Sequence, residues 1–142
     1  MTVLALDRIN KIGKSVREFY AHPDFDSETY HNDIIGVTLP SDRQKVRVES
    51  KAYGKARNYL NTKPLHHSQQ LVKMGKKAAR FTLEVIPNPE LETKLLSYCE
   101  HIEVIEPKEL REKIASRVSA STELYVDKKP KKKKKKKGKK KK

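Results

Sequence analysis

ARFTLEVIPNPELETKLL, residues 79–96, carries two periodicities joined by a short polar-proline break, and that change of period decides the fold. In its first half Phe81, Leu83 and Val85 alternate with Arg80, Thr82 and Glu84, the pattern of a strand with one buried face. In its second half Asn88 can cap a helix with Pro89 at the first helical position and Glu90 near the positive end of the dipole. Leu91, Leu95 and Tyr98 then form the inner stripe of that helix.

Working outward, QKVRVES from Gln44 to Ser50 alternates Val46 and Val48 with Arg47 and Glu49, which predicts another half-buried strand. Ser50 is placed to cap a helix in which Ala52, Ala56 and Leu60 fall four apart, and Pro64 closes it. QQLVKM, residues 69–74, precedes Gly75 and two lysines, so it pairs with ARFTLEVI as an antiparallel hairpin. Ile102 and Val104 mark a fourth strand. After Pro107, Leu110, Ile114, Val118 and Tyr125 lie on one face of a last helix. The order from Gln44 is β-α-β-β-α-β-α. It predicts an α+β protein with a ferredoxin-like β-α-β-β-α-β sandwich and an added C-terminal helix.

Before Gln44 the pattern is looser. MTVLALDRINKI opens with a short alternating strand, Val3 and Ala5 against Leu4 and Leu6. The stretch KSVREFYAHPDFDSETYHNDIIGVTLP, broken by Pro23 and Pro40, is a connector. Asp26 or Ser27 can cap a short helical turn there, and Gly36 would end it. The expected organisation is an isolated strand in residues 1–10, a connector in 11–43, the sandwich in 44–126 and a tail in 127–142.

The charge sits in that tail. The chain carries 33 Lys and Arg against 18 Asp and Glu, a formal net charge of +15. Thirteen lysines fall after Asp127, which leaves 20 basic and 18 acidic residues in positions 1–127. A like-charge run of this kind is expected to be disordered. Lys131, Lys132, Lys133, Lys134, Lys135, Lys136 and Lys137 form its uninterrupted core and would attract any polyanion in a salt-dependent way. The run also has the composition of a nuclear localisation signal, and of a translated A-rich stretch.

Several function classes find no support. One cysteine makes no internal disulfide, and no apolar stretch approaches the roughly 20 residues of a membrane span. A cytoplasmic protein without membrane partners is expected. The sequence has no Gly-rich phosphate loop and no G-x-S-x-G, and no cofactor or enzymatic activity is expected. His66 and His67 in KPLHHSQ, residues 63–69, would point to opposite faces of a strand or lie about 100° apart on a helix, so they are expected to turn the chain into the hairpin as scaffold rather than form a metal pair, with Ser68 and Gln69 satisfying backbone groups there. Cys99, at a helix end, is expected as a half-buried small thiol. The sheet's outer face, with Arg47, Glu49, Arg80, Thr82 and Glu84, offers no aromatic pair on which bases could stack, unlike RNA-recognition platforms.

LALDRI at Leu4–Ile9, DFD at Asp24–Asp26, IGV at Ile35–Val37, KPLHHSQ and LEVIPNPELETKLLSYCEHIEVIEPKELREKI together resemble the C-terminal part of WYL-domain transcriptional regulators of bacteria. The resemblance runs over roughly residues 4–125, and its last third, which resembles the extension called WCX, is the most specific. It implies that residues 1–10 are the last strand of a truncated Sm-like WYL barrel and that residues 44–126 are the extension. It implies a regulatory and oligomerising role as a homodimer, with DNA contacted by a helix-turn-helix not found in these residues. The chain would then be a fragment of the regulator. A nucleotide or nucleic acid is the implied effector. Arg8, in the Leu-Asp-Arg-Ile motif, is the residue carried over as a ligand contact, with an ion pair to Asp7 as its structural alternative. The competing reading is a stand-alone module that binds nucleic acid non-specifically through the lysine tail. LLSYC departs from the family pattern by placing Cys99 where glycine is common; a left-handed backbone there would cost on the order of 1 kcal/mol.

Overall fold

The computed structural model describes residues 6–20, 22–23 and 25–126. Contacts divide the chain into a unit up to Tyr30 and a second from His31 onward. Among its described residues the first holds little regular structure. Leu6–Arg8 form an exposed 3-10 turn, which corrects the strand expected across residues 1–10 for the part described. A strand needs a ladder partner to satisfy its backbone, and no described strand pairs with it. Asp26 caps a turn as expected: its carboxylate accepts from Glu28 N at 2.9 Å and Thr29 Oγ1 at 2.8 Å, and Tyr30 N donates to Asp26 O at 3.0 Å.

The second unit has the predicted order: β1 Val46–Tyr53, α1 Gly54–Thr62, β2 Gln70–Met74, β3 Ala78–Val85, α2 Pro89–Leu96, β4 Ile102–Glu106 and α3 Lys108–Tyr125. The strands form one antiparallel sheet in the order β2-β3-β1-β4. Fold class is therefore α+β, with three helices and a four-stranded sheet. Val48 and Ala52 of β1, with Phe81, Leu83 and Val85 of β3, face Ala56 and Leu60 of α1 and Leu91 and Leu95 of α2. Burying each large apolar side chain here contributes roughly 1.5–3 kcal/mol.

Where α1 starts is a correction. Ser50 does not cap it: β1 continues through Ser50 and Ala52, which pair with Phe81 and Ala79 on one side and Val104 and Ile102 on the other. In a central strand, two ladders and a buried face outweigh one capping hydrogen bond. Gly54, at φ +53, breaks the strand and begins the helix, and Tyr53 precedes it without a side-chain cap. Pro64 lies just beyond the helix end, as expected. The β2–β3 turn is closed by Gly75 N donating to Ala78 O at 2.9 Å; a Cβ on Gly75 would lie 2.8 Å from that same oxygen, so glycine is required. α3 follows its predicted stripe only at first. Leu110 is buried and Ile114 packs against the core, while Val118 and Tyr125 are 48% and 87% exposed.

Cys99 corrects one expectation and meets another. It is exposed rather than half-buried. Its φ is +48, the left-handed conformation for which glycine is the usual residue. Cys99→Gly is expected to raise the unfolding free energy by about 0.5–1 kcal/mol, and Cys99→Ala, which keeps the Cβ, to leave it nearly unchanged. Thermal or urea unfolding of the two variants beside the parent checks this.

Candidate functional site

Two features of the second unit bring polar side chains together: the clasp that holds residues 31–40, and the outer face of the sheet. The clasp begins with Asn88. Its side chain, 2% exposed, caps α2 by accepting from Leu91 N at 2.8 Å. Its amide nitrogen donates to Ile35 O at 2.8 Å and Thr38 O at 3.0 Å. Glu90 adds a second grip, accepting from Thr38 N at 3.1 Å and Thr38 Oγ1 at 2.5 Å. The Thr38 hydroxyl in particular holds the Glu90 carboxyl below its ordinary range. Gly36, at φ +83, brings the backbone so near that a Cβ would meet Glu90 Cγ at 2.7 Å.

KPLHHSQ supplies the other half of the clasp. His66 is buried, and its Nε2 faces Asn32 O at 2.7 Å, a carbonyl that can only accept. Nε2 therefore carries the proton. Nδ1 lies 2.7 Å from Ser68 Oγ, and Ser68 Oγ in turn meets the backbone of Glu84 on β3, at 2.9 Å from its oxygen and 3.0 Å from its nitrogen. Gln69 accepts from Leu65 N at 2.9 Å and donates to Leu60 O at 2.7 Å. Ser68 and Gln69 thus satisfy backbone groups, the scaffold role read from the sequence. The segment is the turn expected, and it brings the two rings together at a tilt of 41°, with centroids 4.1 Å apart, rather than on opposite faces. Both His66 nitrogens are engaged within the scaffold.

The outer face of the sheet presents Arg47, Glu49, Lys51 and Tyr53 from β1 and Arg80, Thr82 and Glu84 from β3. Its charges alternate in sign along β1, although Lys51 stands directly opposite Arg80. Arg80 meets Glu49 at 3.1 Å, and Arg111 from α3 meets Glu103 of β4 at 2.9 Å. Thr82 lies on this face but is only 5% exposed, flanked by Glu49 and Gln70 on the neighbouring strands. The extended β1 also puts Tyr53 here, an aromatic side chain that a helix starting at Ser50 had hidden. Its hydroxyl donates to Glu103 at 2.7 Å. The Tyr53 phenol is pushed up by that carboxylate, and the Glu103 carboxyl is held low by Tyr53 first and Arg111 next. β3 supplies no aromatic at its outer positions, so the face lacks the paired rings of an RNA-stacking platform.

Glu92 was not singled out in the sequence. It is 5% exposed between α2 and α3, with Lys113 at 2.6 Å and Arg117 at 2.9 Å. The available signal was the pair of cations four apart on α3, one turn each along the same face. Arg8 lies in the exposed turn of the first unit, away from any described cluster of that unit. Lys131–Lys137 lie outside the described residues. No group of three or more metal-ligating side chains occurs among the described residues. No described helix is long and apolar enough to cross a membrane.

The model of the WCX domain family matches residues 42–121, which runs from the approach to β1 into α3. The chain belongs to the WCX domain family. No curated protein compared with it gave a match. The WCX domain is associated with WYL-family regulators, a regulator-type family rather than an enzyme family. KPLHHSQ and the Asn88–Pro89 helix start are therefore structural parts of the WCX domain of this chain.

Burial, first of all, pushes the His66 imidazole below 6.5; His67 and Lys45 act in the same direction, while the Asn32 carbonyl and Asp33 oppose them. The unfolded chain therefore takes up this proton first as pH falls. The stability contributed by neutral His66 is complete above about 6.5 and declines below it, until the lowered folded value is passed. Urea unfolding about one pH unit above and one below that value is expected to show this loss. His66→Gln should be less stable at neutral pH and lose less across the same interval; an identical decline in both proteins would remove His66 as its source.

Proposed function

We propose that this chain is the C-terminal regulatory and oligomerising part of a WYL-family transcriptional regulator of bacteria, acting in the cytoplasm. The observation that carries the reading is the WCX match over residues 42–121. The strand order β2-β3-β1-β4, with α1 and α2 as its two crossovers, supports a ferredoxin-like description of that domain. The residues before it are read as the end of a WYL barrel, with Arg8 as its ligand-contacting residue and a nucleotide or nucleic acid as effector.

The clasp gives this role a physical means. Residues 31–40 are continuous with the chain that precedes them, and they are fixed to α2 by Asn88 and Glu90 and to β3 by His66 and Ser68. A displacement arriving along the chain is thereby delivered to the N-terminus of a core helix and to a central strand. Coupling of this kind needs a continuous set of packed and hydrogen-bonded groups, which the clasp provides.

The second reading is a module that binds nucleic acid without sequence preference through Lys131–Lys137, favoured by the concentration of thirteen lysines after Asp127. Binding of that type weakens steeply as salt rises, because the counterions that binding releases then gain less entropy. DNA affinity measured across a salt series, with and without residues 128–142, separates the two. The full chain is expected to bind at low salt with a steep salt dependence, and the shortened chain to bind weakly throughout, because residues 1–127 are near charge balance. Tight binding by the shortened chain at physiological salt would overturn the regulatory reading of residues 1–127.

A further inference from the structure

We infer that the end of α3 and the lysine run behind it form a peripheral docking site for an anionic lipid surface. The inference goes beyond the regulatory reading of the WCX domain and does not depend on it. Leu124, Tyr125 and Val126 are 83%, 87% and 61% exposed at the point where α3 ends. Lys128 follows two positions after Val126, and thirteen lysines lie from there to Lys142. Glu123 and Asp127 are the only acids from position 123 onward. An exposed apolar tip is thus joined directly to the strongest concentration of positive charge in the sequence.

The placement of the three residues and the charge behind them identify the occupant. Consecutive helical positions are turned by about 100°, so Leu124 and Tyr125 diverge around the axis. Val126 then leaves the helix in extended backbone, at φ −80 and ψ 120. One helix face does not gather all three, whereas a surface met by the helix tip takes them together. The boundary of a bilayer suits such a tip: leucine and valine enter the acyl edge, and tyrosine keeps its hydroxyl at the headgroups. Lysines near an anionic leaflet add attraction that fades within a Debye length, and their start two residues after Val126 keeps the first of them inside it. Stable attachment of this type takes two signals, an apolar one and a polybasic one, and both are adjacent here. No described helix is long and apolar enough to cross a bilayer, and peripheral attachment requires none. The inference replaces the expectation, drawn from the lack of a span, that the chain has no membrane partner. Nucleic acid shares the attraction to lysine, but it can stack on Tyr125 only and leaves Leu124 and Val126 in water. The aliphatic pair beside the tyrosine therefore favours lipid.

Co-sedimentation of the full chain with phosphatidylcholine vesicles, with and without phosphatidylglycerol, at physiological salt tests this. The parent should bind the vesicles that contain phosphatidylglycerol and leave the others. Leu124→Ser combined with Tyr125→Ser, both at exposed positions, should weaken vesicle binding by about tenfold or more and change DNA affinity in the same buffer by less than about twofold. The thermal transition of that variant should stay in place. Val72→Ser, at an exposed apolar position of β2, should bind vesicles as the parent does. The sequence has no tryptophan, so Tyr125→Trp supplies a single indole at the tip. Its emission should move to shorter wavelength with phosphatidylglycerol vesicles and not with DNA. A parent that binds DNA but not these vesicles overturns the lipid assignment and leaves the nucleic-acid reading of the tail standing. Equal vesicle binding by the parent and the double variant also overturns it, since lysine alone would then account for the attachment.

Discussion

The Asn88 side chain makes three hydrogen bonds from a site closed to water, and the arrangement of the second unit depends on them. One starts α2 by satisfying Leu91 N; two fix the carbonyls of Ile35 and Thr38. Only an amide can do both, since a carboxylate would offer no donor to the two carbonyls. Leaving those groups unpaired inside the protein would cost about 1–3 kcal/mol each. The same residue thus sets the helix that carries Leu91 and Leu95 into the core and the path of the chain that enters the domain.

His66 closes the clasp from the other side, through Asn32 at one nitrogen and Ser68 at the other. Ile86 N donates to Asp33 O at 2.7 Å between these two fixtures, and Ile34 is buried there. Residues 31–40 therefore behave as an outer layer of the sandwich. The pairing of charges on the opposite face has a different consequence. Arg80 pairs with Glu49 and Arg111 with Glu103, and acids interspersed among the cations weaken the pull of that face on phosphate, which leaves the lysine-rich end as the part of the chain with the composition for polyanions.

Much of this was legible in the sequence because strand alternation and helix capping are local signals. Val46 and Val48, Phe81 to Val85, and Asn88–Pro89–Glu90 each take the structure their spacing predicts. The start of α1 was misread because Ser50 is a good cap locally, while its place between β3 and β4 is set by residues thirty and fifty positions away. That single error hid Tyr53 from the outer face. Glu92 was harder to find for a related reason: its partners Lys113 and Arg117 lie on another helix, and nothing near it in sequence marks it as buried. The Cys99 backbone was anticipated from the place of glycine in similar sequences, whereas its exposure was not. The two histidines were correctly assigned to a scaffold turn, while the approach of their rings within that turn was not foreseen.

Residues 31–40 should be held to the domain as firmly as its own strands. Native-state hydrogen exchange reads this directly at Ile86 and Leu91, whose amides donate to Asp33 O and to the Asn88 side chain. Both are expected to exchange only with global unfolding, at the same free energy as the central amides of β3. Exchange at Ile86 and Leu91 that is orders of magnitude faster, with β3 still protected, would contradict it.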